Sequence, residues 1–143
     1  ISALPGDEVI VPDLTLDGET EAIKKRLATN YYPTYNRTLV SLRVQDVVNA
    51  VALAQSRAPR VYLVGMGSGG PLVLLARHFV DGLEKVAADG QSWDWTPQLP
   101  ATDEKALPGA LRYGGMKAFA AAAPPRPLFL YNHGAGLDVS WVT

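Results

Sequence analysis

Val61-Tyr-Leu-Val-Gly-Met-Gly-Ser-Gly-Gly-Pro-Leu-Val-Leu-Leu-Ala-Arg77 decides how this chain is read. Four apolar residues lead into a turn of small residues, and an apolar run follows from Pro71. The order spells a buried strand, a tight turn and a helix. Pro71 suits the first helical turn, where a missing N–H costs nothing. Two chemistries are built on such a turn. One sets a nucleophilic serine at its tip, within Gly-x-Ser-x-Gly. The other passes a pyrophosphate over Gly-x-Gly-x-x-Gly. Gly65, Gly67 and Gly70 satisfy the second spacing. In the first, with Gly65 and Gly69 as the flanking glycines, the nucleophile position falls on Gly67, which has no side chain to attack a carbonyl.

The elements on either side alternate. Gly6-Asp7-Glu8-Val9-Ile10-Val11-Pro12 reads as a short strand ended by proline. Thr20 to Leu27 suits a short helix. From Arg37 to Ser56, Val40, Val44, Val47, Val51 and Ala54 recur at helical spacing, with Asn36 or Thr38 as N-cap and Ala58-Pro59 as the stop. Val61 to Val64 is apolar at every position, as a central parallel strand is when helices cover both its faces. The helix from Gly70 is expected to run to Phe79 or Val80. A second strand is expected over Lys85–Asp89, a loop over Gln91–Leu107, a short helix over Lys117–Ala123 and a third strand over Pro127–Tyr131. Strands alternating with helices predict an α/β fold with a mostly parallel sheet.

Bulk properties narrow the function classes. The 143 residues suit one compact domain, and 48% hydrophobic with 19% charged residues is ordinary globular composition. A formal charge of −1, with no basic run, argues against a nucleic-acid surface. No apolar stretch approaches the roughly 18–20 residues that span a bilayer, so no membrane partner is expected. There is no cysteine, which excludes disulfides, thiolate metal sites and a Cys nucleophile. His, Asp and Glu show no metal-ligand spacing. The two histidines, His78 and His133, restrict any proton shuttle. The chain begins at Ile1 rather than Met, so a processed or excised piece is expected.

For the dinucleotide reading, Asp89 closes a strand about twenty residues beyond the glycines, where a ribose-binding acid belongs. Against it, a strand and a long helix precede this unit. The bland alternative is that the glycines only let helix and strand pack closely. A hydrolase order accounts for more of the chain: amphipathic helix, strand, turn, helix, then two further strands. An acid in the loop Asn132-His-Gly-Ala-Gly-Leu-Asp138 would come after the last of them.

Tyr35-Asn36-Arg37-Thr38-Leu39, Arg43-Val44-Gln45-Asp46-Val47, Leu63-Val64-Gly65 with Gly70-Pro71, and Leu107-Pro-Gly-Ala-Leu-Arg-Tyr-Gly-Gly115 resemble segments of acetyl xylan esterase and dienelactone-hydrolase-like proteins. The resemblance extends from Val9 to Tyr131. It implies an α/β-hydrolase-type sheet and an ester hydrolase acting through Ser, an acid and His, without a cofactor. The chain departs from that family at its nucleophile position, Gly67. The family's histidine comes after one further strand, which would lie beyond Thr143, so the fold is expected to be an incomplete portion. The expectation is a catalytically degenerate domain that supports an active hydrolase domain in tandem, or a homo-oligomer. A small ester or acetylated glycan is the substrate if the chain is active, and a periplasmic or extracellular setting is implied by the resemblance alone.

The candidate site residues each carry a bland reading as well. Ser68 is either a nucleophile shifted by one residue or the cap of the next helix. The cap is favoured because a shifted elbow would crowd Met66 into a site that needs a very small side chain. His133 is a general base or a loop residue bonded to backbone; Asp138 is the acid or an ordinary turn residue; Asp89 is an acid at the functional edge or a turn cap. His78 suits a surface or helix-end role. Trp93, Trp95, Tyr31, Tyr32 and Tyr35 are sugar-stacking surface or aromatics packed over a core edge. Arg37 and Arg43 are expected to pair with Asp46 and nearby acids along their helix.

Overall fold

A computed structural model of the chain describes residues 6–27, 32–90, 95–122 and 127–133. Helices α1 (Thr20–Leu27), α2 (Tyr32–Tyr35) and α3 (Leu39–Arg57) precede strand β1 (Val61–Gly65). Helix α4 (Gly69–Ala76), strand β2 (Leu83–Asp89), a 3₁₀ turn at Ala110–Tyr113, helix α5 (Gly115–Ala122) and strand β3 (Leu128–Tyr131) come next. The strands form a three-stranded sheet in the order β1-β2-β3, with both pairings parallel. The fold is therefore of the α/β class.

Helix α3 forms where its apolar spacing places it. Thr38 is the N-cap: its backbone is extended (φ −65°, ψ 155°) and its side-chain oxygen accepts the Ser41 N–H at 3.2 Å. Val40, Val44, Val47 and Val51 are buried along one stripe. Ala58, at φ −136° and ψ 140°, ends the helix because Pro59 denies its predecessor the helical region. Helix α4 is apolar all round, and residues 70–76 are all buried, as an unpatterned apolar helix must be. It packs against α3, β1, β2 and α5. Leu74 and Val40 are among the most deeply enclosed side chains.

Close approach of α4 to the sheet depends on Gly70. A Cβ there would overlap the Asp89 backbone carbonyl, with the carbonyl carbon 2.7 Å away. A Cβ on Gly65 would meet the Gly69 carbonyl oxygen at 2.6 Å. Gly65 and Gly70 of the sequence motif thus have a packing reason to be glycine.

Three sequence expectations are corrected. Residues 7–14 form no strand, and Val9 and Val11 are 51% and 82% exposed. Glu8 is tied to Arg57 at the end of α3 (2.7 Å), and Asp46 accepts both the backbone N–H (2.7 Å) and the hydroxyl (2.6 Å) of Thr15. The segment is thereby held along α3 rather than on a strand edge.

Strand β1 is not central in the described sheet but lies at its edge. Its two crossovers, β1-α4-β2 and β2-α5-β3, run in the same direction across the sheet, so crossovers of one hand put both helices on one face. Leu63 and Val86 face them, whereas Tyr62 (54%), Val64 (50%) and Phe129 (67%) on the opposite face are exposed. Helix α4 stops at Ala76, short of Phe79. There the N–H groups of His78 and Phe79 turn to carbonyls three residues back, Leu75 (3.3 Å) and Ala76 (2.9 Å), which tightens the chain out of the α-helix.

Candidate functional site

The three strands exit at one edge of the sheet, and their exits are tied together there. After β1, Met66-Gly67-Ser68 turns the chain into α4, closed by bonds from the Gly69 N–H to the Met66 carbonyl (2.9 Å) and from the Gly70 N–H to the Gly67 carbonyl (3.0 Å). Gly67 stands at the tip with φ +53°, in the left-handed region that other residues enter at a cost. Ser68 is already helical (φ −61°, ψ −17°).

Asp89, the last residue of β2, holds this tip. Its side chain is buried (8% exposed); Oδ2 accepts the Gly67 backbone N–H at 3.2 Å and Oδ1 accepts Nδ2 of Asn132 at 2.9 Å. Asn132 comes directly after β3 and also has positive φ, +51°. One carboxylate therefore fixes two left-handed residues at two different strand exits. The ladder runs one residue past β2, with the Gly90 N–H donating to the Tyr131 carbonyl at 2.7 Å. This presses Gly90 so close to His133 that a Cβ would lie 2.9 Å from its Cα. The Tyr131 hydroxyl reaches the Gly65 carbonyl at 3.5 Å.

These contacts locate each residue singled out from sequence. Ser68 occupies the N-cap position of α4, as the cap reading holds, but its exposed side chain makes no capping hydrogen bond. The expected cap bond is missing because its helical φ and ψ differ from the extended backbone that turns a cap side chain toward the next N–H groups. His133 is exposed at the same edge, next to Asn132. The Asp89 bonds to Gly67 and Asn132 involve neither Ser68 nor His133. Asp138, with Trp93 and Tyr31, lies outside the described residues.

The remaining candidates have structural partners. His78 contacts the Phe119 carbonyl through Nε2 at 2.6 Å, so that nitrogen carries the proton and pins α5 to the end of α4. Trp95 is 4% exposed, donates Nε1–H to the Lys105 carbonyl at 2.7 Å and meets Phe119 edge-on at 5.7 Å. It is a core residue, not a sugar platform. Tyr35 is 82% exposed. Arg43 reaches Glu104 (3.2 Å) and the carbonyls of Thr15 (3.1 Å) and Leu16 (3.3 Å), while Asp46 serves Thr15. Both therefore fasten loops to α3 instead of pairing along it.

Asn132 is the residue sequence reasoning missed. Its one signal is its type, since Asn is among the few side chains that enter the left-handed region readily. Among the described residues no group of three or more His, Asp or Glu is placed to hold a metal ion, and no helix is long and apolar enough to cross a membrane. Comparison with protein-family models, curated proteins and solved structures gives no match to this chain.

Proposed function

We propose that this chain is an α/β-hydrolase-like domain, related to the acetyl xylan esterases, that has lost its nucleophile and supports an active hydrolase domain or chain. The observation that carries the reading is Gly67. It has a positive φ at the tip of the strand–turn–helix, where such a fold places its reactive serine. Gly67 presents only hydrogen at that point. The turn is kept rigid by Asp89 and Gly70, so its shape persists without the reactive group.

Ser68 does not take over the role. It lies one residue past the tip, in helical conformation, and its side chain makes no capping hydrogen bond. The dinucleotide reading fares less well than the hydrolase-like one. Asp89 would have to offer its carboxylate to a ribose hydroxyl, yet the side chain is buried and holds the Gly67 and Asn132 donors.

Covalent labelling tests the proposal. A fluorophosphonate reacts with an activated serine, the hydroxyl oxygen bonding to phosphorus as fluoride leaves. Mass analysis of the intact chain is expected to show no adduct. An adduct mapped to Ser68, and abolished in Ser68→Ala, would make the chain a working serine hydrolase with a shifted nucleophile.

A further inference from the structure

We draw no further inference here: the strongest candidate, the exposed apolar face of the three-stranded sheet presented by Tyr62, Val64 and Phe129, carries nothing because the structure does not show what covers it.

Discussion

The Asp89 carboxylate accepts the backbone N–H of Gly67 at 3.2 Å across the exits of β2 and β1, and its second oxygen takes the amide of Asn132 at 2.9 Å. A buried carboxylate used this way is a structural clamp. Replacing it with alanine leaves the Gly67 donor without its acceptor and empties a buried site. Unsatisfied buried donors cost about 1–3 kcal/mol each, so Asp89→Ala is expected to lose about 2–3 kcal/mol in urea unfolding. Asp89→Asn is expected to lose clearly less. Its oxygen can keep the Gly67 bond, and the exposed Asn132 amide can rotate to present its own oxygen to the new NH₂ group. Equal losses for the two variants would argue against the clamp.

Gly70 abuts the Asp89 carbonyl, and both partners are backbone, so neither can swing aside. Gly70→Ala is expected to exceed the about 1–3 kcal/mol of ordinary overpacking and to yield little folded protein. A Gly67→Ala chain pays for its positive φ, about 1–2 kcal/mol. Circular dichroism and thermal unfolding of the two variants should rank Gly70→Ala as much the worse. The reverse order would mean that the turn, not the helix–sheet contact, is the tighter constraint.

Two N-cap positions should respond differently to the same substitution. Thr38→Ala removes a hydrogen bond to the Ser41 N–H and is expected to cost about 1 kcal/mol. Ser68→Ala removes an exposed hydroxyl that makes no cap bond, and the expected change stays within about 0.5 kcal/mol. Denaturation midpoints at unchanged slope would report both. A Ser68→Ala loss matching that of Thr38→Ala would show that Ser68 caps α4 in solution.

With Asp89 buried and turned to Gly67 and Asn132, NAD and NADP are expected to leave the thermal unfolding midpoint unchanged at millimolar concentration. A ligand present at 100 times its dissociation constant adds about 2.7 kcal/mol to the folded state, which is several degrees for a domain of this size. A shift of that magnitude would restore the dinucleotide reading.

Much of this architecture is legible in the sequence because it rests on local pattern. The valine stripe of α3, the Ala58-Pro59 stop, the apolar run of β1 and the Leu128–Tyr131 strand all appear where their spacing puts them. Long-range causes escaped it. Val9 to Val11 has strand composition, but ties from Glu8 to Arg57 and from Thr15 to Asp46 hold the segment along a helix. Whether β1 is central or an edge depends on what lies beside it, and its own residues do not encode that.

At the site, the sequence identified the turn and its glycine tip, since only three or four adjacent residues are involved. The Asp89–Asn132 contact joins residues 43 positions apart, and no local pattern announces it. Ser68 looked like a cap from its residue type, whereas capping is decided by backbone angles that the type does not fix.

The most direct measurement is hydrolysis of a short-chain activated ester by the wild-type chain and by Ser68→Ala at matched folded concentration. A glycine-tipped turn predicts that both run at the uncatalysed rate. Turnover by the wild-type chain that disappears in Ser68→Ala would contradict the account and make Ser68 the nucleophile.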